Sequence, residues 1–398
     1  MASRSAGTLS LPWPTSGQRS GPSRVAMDHV LLFVTLTLAL IGLVMVFSAS
    51  AIVAGNRFQD PEFFLKRQIA WLGFSVLLMH LTSRIDYQIW KKLSIPILIS
   101  MMVLLVLVLI PSLGVAAKGA RRWLRWGVIS IQPAEMVKLV LVIYLAAYLA
   151  KKADKLDGFR SGLLPALIVV GLLSGLVLLE PDLGTVVVMG LVTVCLLFLG
   201  GARMTHLAAL GFCSIPVILL LVLGSSYRRQ RLLTFLAPWK DAADAGFQIT
   251  QSFLAFGSGG PFGVGLGEGK QKLFFLPEAH TDFVLALVGE ELGLAGTASV
   301  IVLFAFFVWR GFFIASRARM PFGRYLGLGI TLLIGIQALV NAAVVTGLLP
   351  TKGLTLPFVS YGGSSLVVSF AGVGMLLSIS RDRQGGGSKG GRREPDQR

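Results

Sequence analysis

The 398-residue chain is 54% hydrophobic and only 14% charged, with a formal net charge of +17 and a mean hydropathy of +0.76. Soluble domains carry about a quarter charged residues, and several apolar runs here reach the ~20 residues that cross a bilayer, so the composition excludes a soluble protein and predicts a polytopic membrane protein. Cys195 and Cys213 both lie in apolar runs, which argues against a disulfide or metal framework.

Polar tails flank the hydrophobic part of the chain. Residues 1–28 are rich in Ser, Gly and Pro, and the first apolar run begins too far from Met1 for a cleaved signal peptide. Residues 381–398 are glycine-rich and basic. Such compositions cannot bury a core, so the sequence predicts two disordered cytoplasmic tails around a transmembrane domain at 29–380.

The apolar segments predict an all-α polytopic fold of about ten transmembrane helices, at residues 29–53, 64–82, 93–113, 133–150, 162–179, 183–200, 206–224, 283–309, 326–348 and 365–380. With both tails inside, the inner segments hold more Lys and Arg than the outer ones, as the positive-inside rule expects. A large extracytoplasmic loop, 225–281, then separates the seventh and eighth helices.

Some basic residues nevertheless cluster on the outer side. The segment "KGARRWLRWG" contains Arg121 and Arg122, and the loop at 225–281 holds six more Lys and Arg residues. Two interpretations stay open at this point: contact with anionic lipid headgroups, or a site for a multiply anionic ligand, since the arginine fork suits phosphate oxygens.

The fourth predicted helix opens with "QPAEMVKL", which places Glu135 and Lys138 three residues apart on one face. Ionisable groups in a membrane helix face protein or water. The two residues therefore form either a self-neutralising ion pair or a ligand site in which Glu135 positions Lys138 against a phosphate.

The turn "EPDLGT" brings Glu180 and Asp182 to the outer membrane surface, where they balance the basic loops or hold Mg²⁺ or Mn²⁺; the structural role is slightly favoured.

The glycine run before Lys270 lacks the Walker spacing, so a re-entrant or surface loop is predicted and not a nucleotide site.

Asp282 stands where the polar outer loop changes into the eighth apolar segment. An acid there either complements the helix dipole or, ionised beside Lys138 and Lys352, serves as a general base on an alcohol. Glu290 and Glu291 lie about 12 Å further along a helix, too far to share a reacting bond. They are predicted to be polar side chains packed inside the protein. The last outer loop, "PTKGLTLPFVSYGGSS", adds Lys352 and Ser360.

The motifs "GARRWLRWGVISIQPAEMVKL", "EPDLGT", "FLPEAHTDFVLALVGEELG" and "PTKGLTLPFVSYGGSS", in this order, resemble the SEDS family of bacterial cell-wall proteins. The resemblance extends over all ten predicted helices. Ala279 and the last-loop motif are more similar to the division branch of the family than to its elongation branch.

The resemblance implies a peptidoglycan glycosyltransferase that polymerises lipid II in the bacterial inner membrane during cell division. It implies that Asp282 is the catalytic base and that Arg121, Arg122, Glu135, Lys138 and Lys352 bind substrate. His280 and Ser360 join these substrate-binding candidates. The implied partners are lipid II, the nascent glycan, a class B penicillin-binding protein, other division proteins and membrane lipid, with no nucleic acid.

The same resemblance leaves several points open. A divalent cation, Mg²⁺ or Mn²⁺, is an expected cofactor without a convincing ligand set, and no organic cofactor is expected. A lipid II flippase and a scaffold without catalytic activity remain the alternative functions. The charges gather on one side of the membrane and no inverted repeat is evident, which favours the enzyme over the transporter.

Overall fold

The structure, a computed structural model, describes residues 27–382 apart from 118–119, 128, 242–245, 274–275 and 277–278. The predicted tails lie almost wholly outside the described residues. Within that part the chain forms thirteen α-helices: α1 (His29–Phe58), α2 (Phe63–Arg84), α3 (Gln88–Leu109), α4 (Pro133–Lys152), α5 (Leu164–Leu179), α6 (Leu183–Leu199), α7 (Met204–Leu223), α8 (Ser226–Leu236), α9 (Phe247–Gly259), α10 (Val284–Glu291), α11 (Gly293–Ser316), α12 (Pro321–Val345) and α13 (Gly363–Asp382).

The predicted helical membrane protein is confirmed. Eight of the described helices are long and apolar enough to cross a membrane, and α6 is a shorter apolar helix. The apolar window of α13 is 89% buried and that of α4 is 78% buried, whereas that of α7 is only 6% buried. The window of α12 is 61% buried. Helices α4, α12 and α13 therefore form the centre of the bundle, and α7 lies at its edge.

The loop between α3 and α4 contains a small antiparallel sheet that the prediction lacked. Its strands are β1 (Gly114–Ala117), β2 (Ala120–Trp126) and β3 (Ile129–Ile131), in the order β1-β2-β3. Val115 pairs with Trp123, and Leu124 pairs with Ile131. The sheet presents the arginine-rich segment as an ordered strand.

The prediction of one continuous helix at 283–309 is wrong, because the chain breaks between α10 and α11. Gly293 has a φ of 68°, a left-handed conformation that glycine adopts without strain. The glycine-rich loop fills the break: the N–H groups of Val264 and Gly265 donate to the carbonyls of Glu290 and Glu291 at 3.0 and 3.1 Å. The backbone groups freed at the break are thus paired with the loop.

The side chains of Glu290 and Glu291 hold the same loop. Glu291 accepts hydrogen bonds from Ser48 Oγ at 2.6 Å and from Lys272 Nζ at 2.8 Å, and Glu290 accepts one from the Lys270 N–H at 2.7 Å. Both carboxylates are at least 98% buried. The predicted role in internal packing is confirmed, since their partners are the loop and α1.

Candidate functional site

Five helices meet at one end of the bundle, where α4, α6, α10 and α13 begin and α12 ends. The backbone N–H of Gln132, just before α4, donates to Ser364 Oγ of α13 at 3.0 Å, and its side-chain amide reaches Asp182 before α6 at 3.5 Å. The loop 346–362, between α12 and α13, lies across this end. We call this region the site end.

Asp282 is a half-buried residue of the site end. Thr281 Oγ1 donates to its Oδ1 at 3.0 Å, and a Cβ built on Gly353 would lie 3.6 Å from its Oδ2. The N-cap position of α10 belongs to Phe283, one residue further on, so Asp282 is not the N-cap residue of this helix. The carboxylate therefore lies against Gly353 of the 346–362 loop. Gly353 is the residue after Lys352.

Lys138 and Glu135 form a buried ion pair inside α4. Lys138 Nζ donates to Glu135 Oε1 at 2.9 Å and to Gln337 Oε1 of α12 at 2.7 Å. The side chain of Lys138 is only 1% exposed and that of Glu135 is 9% exposed. A cavity with room for about one water molecule adjoins the pair. The ion-pair interpretation describes this conformation, and contact of Lys138 with a phosphate remains a prediction.

Gln337 and Asn341, one helical turn apart on α12, connect the pair to the loops. Gln337 Nε2 donates to the Thr355 carbonyl at 3.0 Å. Asn341 Nδ2 donates to the carbonyl of Leu354 at 2.6 Å and to that of Asp282 at 2.9 Å. Hydrogen bonds thus join α4 to α12, and others join α12 to the 346–362 loop and to the backbone of Asp282.

Lys352 is half-buried in the 346–362 loop. Burial lowers the pKa of its ammonium group, because the charged form loses water contacts. An anionic ligand at this ammonium group would replace part of the lost solvation and favour its charged form. Its predicted role in substrate binding fits this geometry and is not tested by it.

Arg122 is half-buried and structural in its observed contacts. Its Nε donates to the Glu180 carbonyl at 2.9 Å and its Nη2 donates to the Pro181 carbonyl at 2.6 Å. The arginine thus ties strand β2 to the turn between α5 and α6. Arg121, the next residue back on β2, is exposed, and its contact with a ligand remains a prediction.

The two acids of the α5–α6 turn have different environments. Asp182 caps α6, accepting from the Thr185 N–H at 3.1 Å and from Thr185 Oγ1 at 3.0 Å. Glu180 is fully buried, and neither carboxyl oxygen has a hydrogen-bond partner among the described residues. Burial, with a smaller effect of Asp182, raises the pKa of Glu180 to about 8. These contacts match the favoured structural role.

His280 and Ser360 contribute to the structure of the site end. The His280 carbonyl accepts from the Tyr361 N–H at 2.9 Å, and its ring contacts the rings of Phe64 and Tyr361. Ser360 Oγ, which is buried, accepts from the Leu356 N–H at 2.8 Å. In this conformation both residues shape the loop, and their predicted contact with substrate stays a prediction.

The residues that the structure describes contain no preformed cage of side chains for the predicted cation. Over the described parts of 27–382, no three His, Cys, Asp or Glu side chains converge to hold a metal ion. The oxygens of Asp182 are engaged by Thr185. A divalent cation would therefore need oxygens from the substrate as well, so the cation remains a prediction.

The sequence reasoning missed Gln337 and Asn341. Their signal was present in "GIQALVNAAVV", where two amide side chains stand four residues apart within an apolar helix. That spacing places them on one face, and polar groups inside a membrane span mark functional positions.

Comparisons with known proteins agree on one family. The family model FTSW_RODA_SPOVE, described as cell cycle protein, matches residues 28–385. A probable peptidoglycan glycosyltransferase FtsW from Geobacter sulfurreducens is 49% identical over 90% of this chain and 96% of its own length. Stage V sporulation protein E from Bacillus subtilis is 43% identical over 90% of this chain and 98% of its own length.

Solved structures give the same result. A chain from a peptidoglycan synthase complex that coordinates polymerization and crosslinking matches with a TM-score of 0.74 and 31% identity, over 90% of this chain and 98% of that one. The rod shape determining protein RodA of Thermus thermophilus matches with a TM-score of 0.66 and 29% identity, over 91% and 99%. The predicted resemblance is confirmed: this chain belongs to the FtsW/RodA/SpoVE family.

Proposed function

We propose that this protein is the peptidoglycan glycosyltransferase of a division complex, polymerising lipid II into glycan strands at the outer face of the inner membrane. The observation that carries the proposal is the position of Asp282, whose carboxylate lies against Gly353 in the loop that holds Lys352. The names of the relatives and of the solved synthase complex support the same activity.

In the proposed reaction the 4-hydroxyl oxygen of an acceptor lipid II attacks the anomeric carbon of the growing glycan. A new carbon–oxygen bond forms, and the bond from that carbon to the lipid diphosphate breaks with inversion. Asp282 takes the proton of the attacking hydroxyl as general base. The electron pair of the broken bond leaves with the diphosphate.

Lys352 and Arg121 are the cations that we propose for contact with the diphosphate. Both belong to segments at the site end, and Arg121 is exposed. Fixed positive charge at the leaving group stabilises the transition state more than the ground state. Lys138 sits too deep for direct contact in this conformation, and its ion pair would support the α4–α12 contact beneath the site.

The proposed setting follows from the same evidence. A multi-pass protein with both termini in the cytoplasm would present the site end to the outer leaflet, where lipid II is used. We propose a class B penicillin-binding protein as partner, since the structural neighbour belongs to a complex that polymerises and crosslinks. A septal location is proposed from the FtsW relatives.

The test is lipid II polymerisation by the purified protein, alone and with its penicillin-binding partner. Asp282→Asn keeps the shape of the side chain but not the base, and should lower the rate at least 100-fold. Asp157→Asn is the matched control, because Asp157 is an exposed acid paired with Arg203 away from the site end. Normal polymerisation by a folded Asp282→Asn variant would refute the proposed base.

A further inference from the structure

The central helix α12 carries two buried amides whose contacts lead toward Asp282. Gln337 is 4% exposed and Asn341 is 1% exposed. Among the helices of the bundle centre, an amide this deep is expensive unless its polar atoms are paired. The hydrogen bonds of both side chains therefore indicate the role of these two residues.

Asn341 cross-links two loops by their backbones. Both of its amide hydrogens are used, one on the carbonyl of Asp282 at 2.9 Å and one on the carbonyl of Leu354 at 2.6 Å. The first carbonyl belongs to the residue with the candidate base, and the second lies two residues after Lys352. One side chain thus fixes the spacing between the two segments.

The other end of the Asn341 amide shows that packing alone does not explain the residue. Its Oδ1 is buried and has no hydrogen-bond partner within the described residues. An unpaired buried carbonyl oxygen disfavours folding, and an apolar side chain of the same volume would avoid it. The position is better explained by the two hydrogen bonds that the amide donates.

Gln337 extends the arrangement by one turn. Its Oε1 accepts from Lys138 Nζ at 2.7 Å, and its Nε2 donates to the Thr355 carbonyl at 3.0 Å. Thr355 Oγ1 in turn donates to Ser365 Oγ of α13 at 2.9 Å. The ion pair of α4 is therefore joined to the same loop that Asn341 holds.

We propose that Asn341 and Gln337 are positioning residues, which set the distance and orientation of Asp282 relative to Lys352. Neither is assigned contact with the reacting atoms. The inference rests on the proposed function, because it concerns the alignment of its base and its cation. A displacement of about 1 Å in a catalytic group lowers rates roughly 100-fold, so two hydrogen bonds that set this spacing affect the chemical step.

The experiment compares variants of the full-length protein in complex with its penicillin-binding partner. Asn341→Leu keeps the branching of the side chain and removes both donated hydrogen bonds, whereas Asn341→Ser keeps one donor. Thr331→Val is the matched control, since Thr331 is fully buried on α12 and its hydroxyl donates to the Gly327 carbonyl of the same helix. Each variant is assayed for kcat and KM with lipid II, for melting temperature, and for amide hydrogen exchange.

The expected result is a kcat about 10- to 100-fold lower for Asn341→Leu with KM within about twofold of wild type, and an intermediate kcat for Asn341→Ser. Amide exchange should accelerate in 281–286 and 350–356 for Asn341→Leu but not for Thr331→Val. A wild-type kcat in Asn341→Leu, or a fall in kcat only in proportion to lost folded protein, overturns the inference.

Gln337→Met provides the second variant. It removes the hydrogen bond to Thr355 and the one accepted from Lys138, and it should lower kcat and speed exchange in 350–356 in the same way. An Asn341→Leu protein that does not fold therefore still leaves the inference testable. If wild type makes no glycan, the proposed function fails. The exchange data then decide separately whether the two amides hold these loops.

Discussion

Removing the Lys138 ammonium alone should destabilise the bundle centre strongly. Lys138→Met leaves the Glu135 carboxylate, 9% exposed, without its partner at 2.9 Å, and leaves Gln337 Oε1 without its donor at 2.7 Å. Breaking a buried pair from one side lowers stability by about 3–5 kcal/mol, because an uncompensated charge remains. The free energy of unfolding, measured by SDS titration in mixed micelles with tryptophan fluorescence, should fall by that amount.

The double variant Lys138→Met/Glu135→Met removes both charges and should recover most of the loss. Two apolar side chains of similar volume replace a buried pair with little net change, and the unpaired Gln337 Oε1 should account for a remaining deficit of about 1–2 kcal/mol. Lys66→Met is the control, since Lys66 pairs with Asp60 on the exposed surface and such pairs contribute little.

Polymerisation by the same variants separates the two interpretations of Lys138. A stable but inactive double variant would mean that the ammonium or the Glu135 carboxylate takes part in the reaction, and a stable and active one would mean that the pair is structural. A Lys138→Met protein as stable as wild type, or a double variant no more stable than the single one, would show that the buried charge does not carry this cost.

Three further outcomes follow from the structure. The pKa of Glu180 is about 8 in the folded protein, above its ordinary value of 4.5. The stability that the protonated Glu180 contributes is therefore complete below pH 4.5 and is lost as the pH rises to about 8. Glu180→Gln should melt several degrees above wild type at pH 9 but not at pH 5. Because burial lowers the pKa of Lys352, Lys352→Arg should move the alkaline limb of the polymerisation rate to higher pH, and an unmoved limb would contradict a role for its charge. A Cβ at Gly293, where φ is 68°, would lie 2.3 Å from the Gly263 nitrogen, so Gly293→Ala should lower the melting temperature, while Gly190→Ala, which meets nothing within 4 Å, should not.

The sequence alone determined the class of the protein, because each membrane helix is encoded locally. A run of about 20 apolar residues spans the bilayer whatever its neighbours are, so helices such as α1 and α3 could be placed before any packing was known. The motif around Asp282 also identified the family, and the i,i+3 spacing predicted that Glu135 and Lys138 meet.

Only the tertiary structure decided how these local elements combine. The break at Gly293 exists because an earlier loop, which contains Val264 and Gly265, pairs with the freed backbone groups, and periodicity within 283–309 does not encode that pairing. The contact of Asn341 with Asp282 joins positions 59 residues apart. Hydrogen bonds and burial of this kind depend on which helices pack together, so the sequence could supply the site residues, while the fold determined which of them touch.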